Sequence, residues 1–156
     1  MKQEYVTHSP EETEKIAEEL ATRFTTGGVI ALEGNLGVGK TVFVKGLARG
    51  LGITSVIQSP TFVIMKVYPV AHRGLKNLVH VDCYRLDSAD QIRATGLEDY
   101  LRDRQSLVVI EWADKIRELV PSTAQWISFD SLSFHDRRII ISSNRADGRH
   151  HADTER

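Results

Sequence analysis

Cysteine is almost missing from this sequence. Cys83 stands alone among 156 residues, so no internal disulfide can form, and a reducing compartment, the cytoplasm, is the simple expectation. It lies in an apolar run, where a small core residue is a simpler reading than a nucleophile. No apolar stretch approaches membrane-spanning length, and Met1-Lys2-Gln3-Glu4-Tyr5 does not read as a signal peptide. A dominant charge is missing too. Twenty Lys and Arg face 21 Asp and Glu, for a net charge of −1, which leaves no global basic field to draw in nucleic acid. Any RNA contact has to be local or made by a partner. There is no internal repeat and no sign of a second domain. What remains, 41% hydrophobic and 26% charged residues, suits one globular domain with its own core.

Within that domain one stretch stands out: Gly34-Asn35-Leu36-Gly37-Val38-Gly39-Lys40-Thr41. It fits the phosphate-loop pattern of a Gly, four free positions, then Gly-Lys and Ser or Thr. The apolar run Val29-Ile30-Ala31-Leu32 before it reads as a buried strand, and Val42 to Ala48 after it reads as a helix. Glycines let the backbone turn tightly and approach a ligand. Successive N–H groups then form an anion-binding concavity at the positive end of the following helix. Lys40 has the reach to contact β- and γ-phosphate oxygens, and the Thr41 hydroxyl is the type of group that ligates Mg²⁺.

The other elements follow from periodicity and punctuation. Glu4 to Thr7 reads as a short strand. Ser9-Pro10-Glu11-Glu12 reads as a helix entry with a capping box, and the helix runs to Gly27-Gly28. The helix after the phosphate loop stops near Gly50 or Gly52, and Ile53 to Ser59 is a connection. Thr61 to Val67 and Leu78 to Tyr84 read as a hairpin, with an exposed turn from Pro69 to Asn77. Ser88 to Gln91 opens a helix that ends before Gly96, and Leu97 to Leu101 forms a further turn. The fully apolar Leu107 to Ile110 is a central parallel strand. A short helix from Ala113 to Leu119 stops at Pro121, and two strands follow, Gln125 to Leu132 and Arg137 to Ser142. The domain then spans 1–143, and the polar segment 144–156 reads as a frayed tail.

Binding phosphate is not hydrolysing it; the latter also needs a Mg²⁺ carboxylate and a group that orients the nucleophile. Glu111 is the best metal carboxylate, at the carboxyl end of an apolar strand, where open α/β sheets place their ligands. Asp82 is the second candidate. Strand alternation puts His80, Asp82 and Tyr84 on one face and Val79, Val81 and Cys83 on the other. Asp82 either holds a metal-bound water, orients the attacking water, or is a buried carboxylate paired with Arg85 or a nearby hydroxyl. His80 reads as structural. Thr61, after Pro60, is either a switch residue that senses the γ-phosphate through Mg²⁺ or a strand-start residue. Trp112 either packs near the nucleotide, docks a partner or belongs to the core.

With these residues in view, the chain resembles the TsaE family (formerly YjeE), the bacterial ATPase of tRNA threonylcarbamoyladenosine synthesis. The resemblance rests on the phosphate loop, Ser59-Pro60-Thr61, His80-Val81-Asp82-Cys83-Tyr84-Arg85-Leu86, Gly96-Leu97-Glu98-Asp99-Tyr100 and Glu111-Trp112, in order from about Ser9 to Ser142. It implies an α/β, single-domain P-loop NTPase fold with a mixed, mostly parallel central sheet flanked by helices. It implies ATP and Mg²⁺ as cofactors, bound along Gly34, Asn35, Leu36, Gly37, Val38, Gly39, Lys40, Thr41 and Val42. Thr41 and Glu111 would serve the metal, Lys40 the phosphates, and Asp82 and Thr61 hydrolysis and switching. Trp112, Arg137 in the late strands and Glu12 at the first helix are the further residues placed near the nucleotide. The partners implied are TsaD-like and TsaB-like subunits, with tRNA reached through their complex and no membrane. Two positions depart from the family pattern: Asn35 stands where Asp is usual, and Val42 where a second Thr is common. A small-molecule or nucleotide kinase and a non-hydrolysing nucleotide switch are the rival functions.

Overall fold

The computed structural model describes residues 2–35, 37–60 and 64–142. Leu36, Thr61 and the segment expected to form the tail lie outside the described residues. The element order is β1 (Lys2–Thr7), α1 (Pro10–Ala21), β2 (Gly28–Gly34), α2 (Lys40–Gly50), β3 (Met65–His72), β4 (Leu75–Asp82), α3 (Ala89–Arg93), α4 (Leu97–Arg102), β5 (Ser106–Glu111), a kinked 3₁₀ helix (Ala113–Leu119), β6 (Gln125–Ser131) and β7 (Arg137–Ser142). The seven strands form one sheet in the order β1-β7-β6-β2-β5-β4-β3.

The centre of this sheet is parallel. β2 pairs parallel with both β5 and β6, and β5 pairs parallel with β4. β7 runs antiparallel to both β6 and β1, and β3 antiparallel to β4. Burial explains which strands lie inside. Every residue of β5 is buried, as are the five interior residues of β2, so both need cover on two faces. α1 and α2 supply one cover, packing Ala17, Leu20, Phe43 and Leu47 onto Ile30, Leu32, Val109 and Ile127. α3, α4 and the 3₁₀ helix supply the other through Ile92, Leu97 and Ile116 on Ala31, Val79, Val108 and Ile110. None of the described helices is long and apolar enough to cross a membrane.

The expected hairpin is present, but its turn is shorter than the residues suggest. β3 continues through Pro69 to His72, and only Arg73-Gly74 separates it from β4. Pro69 breaks a strand only where its missing N–H is needed; β3 is an edge strand, and its register shifts between Pro69 and His72. The first helix is also shorter than expected. It ends at Ala21, where the Thr22 hydroxyl donates to the Glu19 carbonyl, and Thr22 to Gly27 form a connection. Its start is close to the expected box. The Glu12 N–H donates to Ser9 Oγ at 3.2 Å, while the Glu12 carboxylate accepts from the His8 N–H at 2.7 Å.

α1 and α2 approach so closely that two glycines in α2 are required by space rather than by conformation. A Cβ on Gly46 would fall 2.2 Å from the Glu14 carbonyl oxygen, and one on Gly50 2.5 Å from that of Glu18. Arg49, between them, pairs with Glu14 at 2.6 Å. Gly46→Ala therefore lowers unfolding free energy by about 1–3 kcal/mol despite alanine's better helix propensity. Equilibrium denaturation measures this; a midpoint equal to or above the parent's would show that the helices separate at no cost.

Candidate functional site

The phosphate loop joins β2 to α2 at the carboxyl edge of the sheet. Gly37 (φ 75) and Gly39 (φ 108) adopt left-handed backbone, which side chains bearing a Cβ resist. Gly39 is also the N-cap of α2, and no side chain caps that helix. An uncapped start presents its N–H groups and positive dipole end to an anion. Lys40 is only 4% exposed. Its Nζ donates to the Gly34 carbonyl and, at 3.0 Å, to the Asn35 carbonyl, and lies 3.8 Å from the centre of the Trp112 ring. An ammonium has three hydrogens, and these two carbonyls take two of them. Burial pulls the Lys40 pKa below the ordinary lysine value, while Glu111, Asp114 and Asp82 pull it back up.

β5 and β4 bring the carboxylates to the same edge. Leu32 of β2 lies opposite Glu111, and Glu111 lies opposite Asp82. Glu111 accepts from the Thr41 hydroxyl at 2.9 Å through Oε1 and contacts His80 Nε2 at 2.6 Å through Oε2. Asp82 accepts from the Ser59 hydroxyl at 2.6 Å and from the Tyr84 N–H at 2.9 Å. The expected alternation along β4 is present: Val79, Val81 and Cys83 enter the core under α3 and α4, while Leu78 faces α1 and α2. Trp112 follows Glu111 in left-handed backbone (φ 57), a strained conformation for a bulky residue, and its ring meets that of Tyr84 at 5.0 Å.

These groups enclose a cleft of about 360 Å³ lined by Gly37, Gly39, Lys40, Thr41, Val42, Ser59, Asp82, Tyr84, Glu111 and Trp112. Of the residues singled out from the sequence, it brings together Gly37, Gly39, Lys40, Thr41, Val42, Asp82, Glu111 and Trp112, whereas Val38 of the loop is buried in the core with α1 and α2. Gly34 and Asn35 meet the site through their carbonyls. Leu36 and Thr61 lie outside the described residues. Glu12 and Arg137 do not line this cleft. Arg137 donates to the Ser133, Phe134 and Asp136 carbonyls and so closes the β6–β7 turn. Glu12 stays with His8 at the start of α1. Two lining residues carried no assigned role in the sequence reading, Ser59 and Tyr84. Their signal was adjacency: Ser59 precedes Pro60-Thr61, and Tyr84 follows Asp82 by one strand period. A larger cleft, of about 470 Å³, lies at the amino end of the strands among Arg23, Gly27, Arg102 and Arg104, and holds none of the predicted site residues.

A glycine-rich loop between a central strand and its helix, facing carboxylates on neighbouring parallel strands, defines a P-loop NTPase fold. The crystal structure of Bacillus subtilis YdiB superposes with a TM-score of 0.76 at 33% identity, covering 92% of this chain and 86% of that one. A family model described as "Threonylcarbamoyl adenosine biosynthesis protein TsaE" matches residues 7–140. The Bacillus subtilis protein named tRNA threonylcarbamoyladenosine biosynthesis protein TsaE is 40% identical over 137 residues, 88% of this chain and 83% of that protein. Its Treponema pallidum namesake is 34% identical over 137 residues, 88% of this chain and 98% of that protein. The chain belongs to the TsaE family.

Two side chains outside the cleft give direct tests of the surrounding packing. Burial pushes the Cys83 thiol up to about 12, with Asp82 and Asp114 adding to the effect. Cys83 therefore stays unreacted with a disulfide reagent at mildly alkaline pH in native protein and reacts on unfolding; rapid native labelling would contradict its burial. His8 Nδ1 lies 2.8 Å from Asp136, which raises His8 above its ordinary 6.5 and holds Asp136 below 3.8. The raised His8 value means that the contact contributes fully below pH 6.5 and fades as pH rises through the folded value. The depressed Asp136 value means that it is lost again as pH falls through that residue's folded value. Asp136→Asn returns the His8 titration towards 6.5 by NMR; an unmoved titration would show that the pair does not form in solution.

Proposed function

We propose that this chain binds ATP with Mg²⁺ and hydrolyses it as a component of threonylcarbamoyladenosine modification of tRNA, acting on a TsaD–TsaB-like complex. The observation that carries this reading is the Thr41–Glu111 contact of 2.9 Å, which joins the phosphate loop to a carboxylate 70 residues away. The names of the relatives supply the tRNA context. The donor chemistry fits magnesium. Thr41 and Glu111 offer hard oxygens, and the described residues contain no cluster of three or more His, Cys, Asp or Glu side chains placed to cage an ion. Magnesium is typically held by one or two protein oxygens together with phosphates and waters.

In this reading Thr41 and Glu111 hold the ion, and Lys40 offers its remaining hydrogen to a phosphate oxygen. When bound, magnesium neutralises charge that builds up on the phosphates. The uncapped start of α2 and the N–H groups of the loop orient the triphosphate. Asp82, held at both oxygens by Ser59 and the Tyr84 N–H, is oriented to position the attacking water. Ser59 directly precedes Pro60-Thr61, so its hold on Asp82 ties the segment assigned a switching role to the group that positions water. Hydrolysis is slow alone in this reading, and partners complete the site.

The test is ATP turnover with and without TsaD-like and TsaB-like subunits and tRNA. Strong stimulation is expected, with Lys40→Ala and Glu111→Ala reducing stimulated turnover by at least roughly a hundredfold. Parental turnover by either variant would overturn the reading. Phosphate transferred to an added acceptor would favour a kinase instead. ATP binding without hydrolysis, even with every partner present, would favour a non-hydrolysing switch.

A further inference from the structure

His80 plays no part in the mechanism just described, yet it is fully buried beside the proposed metal carboxylate. We propose that His80 is a positioning residue for Glu111: its Nε2–H grips Oε2, so that Oε1 stays at Thr41 and faces the metal. The inference rests on the proposed role of Glu111.

Three observations carry it. The first is the ladder. Asp82 lies opposite Glu111 and His80 opposite Val109, so His80 and Glu111 are diagonal neighbours on one face of adjacent parallel strands. The 2.6 Å contact between them is thus set by the backbone of two central strands rather than by a mobile loop. The second is the division of labour on the carboxylate. Oε1 accepts from Thr41 and Oε2 from His80. The last torsion of a glutamate is broad, so a carboxylate held at one oxygen alone can pivot. A second donor removes that freedom. Because an ionised carboxylate only accepts, the imidazole hydrogen must be on Nε2.

The third is what His80 does not do. Its Nδ1 is buried without a hydrogen-bond partner among the described residues. A buried polar atom left unpaired costs stability that an apolar side chain of similar size would not. Space filling therefore does not account for an imidazole here, whereas fixing Glu111 does. Groups that orient metal-binding side chains in this way typically affect metal affinity by about 10–100-fold.

The experiment measures Mn²⁺ binding to the protein–ATP complex by electron paramagnetic resonance, and ATP binding without metal by calorimetry. The variants are His80→Leu, His80→Gln, His80→Asn and Glu111→Gln, each checked for folding by circular dichroism. His80→Leu is expected to weaken Mn²⁺ binding by about 10–100-fold while metal-free ATP affinity stays within about twofold. His80→Gln, whose amide reaches about as far as Nε2, recovers most of the loss; the shorter His80→Asn does not. Parental Mn²⁺ affinity in His80→Leu, with loss in Glu111→Gln, overturns the positioning role and leaves Glu111 as the metal ligand. Parental affinity in both overturns the metal assignment itself, and the positioning role with it. If His80→Leu fails to fold, the Gln and Asn pair decides: equal losses, or none in either, overturn the proposal.

Discussion

The hydrogen bond between Thr41 and Glu111 depends on almost everything else in the fold. Its two ends are 70 residues apart and come from different elements, the first turn of α2 and the last residue of β5. They meet because β2 and β5 are parallel neighbours with Leu32 opposite Glu111, so the chain leaves both strands at the same edge. An antiparallel pairing would send the loop and the carboxylate to opposite ends of the molecule. Parallel strands require crossovers, and here α3 and α4 are the helical crossover that returns the chain from β4 to β5. The close contact of α1 with α2 through Gly46 and Gly50 then sets how α2, and Thr41 with it, seats on the sheet.

The same arrangement concentrates charge where a stable core would avoid it. Glu111 is 3% exposed, Asp82 6% and Lys40 4%, all at one strand edge. Buried ions lose hydration that their mutual attraction recovers only with good geometry and further hydrogen bonds. Each has such bonds: Lys40 donates to two carbonyls, Asp82 accepts from Ser59 and the Tyr84 N–H, and Glu111 accepts from Thr41 and contacts His80. Glu111, Asp82 and Asp114 all act on the Lys40 equilibrium.

How much of this was legible in the residues varies with the range of the force involved. The phosphate loop, the helix entry at Ser9 and the central strand Leu107 to Ile110 are written in local pattern, and each appears where the pattern puts it. The β3–β4 turn is shorter than the expected Pro69 to Asn77 because Pro69 and Gly74 are both residue types that interrupt strands. Which of them ends the strand depends on whether the strand lies at an edge, a property of the whole sheet. The face shared by His80 and Asp82 followed from strand alternation alone. The grip of His80 on Glu111 and of Ser59 on Asp82 did not, because contacts between strands depend on order and register, which no single stretch of sequence contains.

Asn35 shows how a departure from a family pattern reads once the geometry is known. The resemblance to the family made Asn35 in place of Asp a lost charge beside the phosphates. In the structure Lys40 is held by the Asn35 carbonyl, a main-chain group that any residue supplies. The side chain itself is exposed, where water screens a charge strongly. The Lys40 anchor therefore uses a main-chain group at position 35, not the side chain. Val42 is comparable: it follows Thr41 in the first turn of α2, and Thr41, not its successor, makes the contact with Glu111. Neither side chain, Asn35 nor Val42, makes the contacts that hold Lys40 or join Thr41 to Glu111.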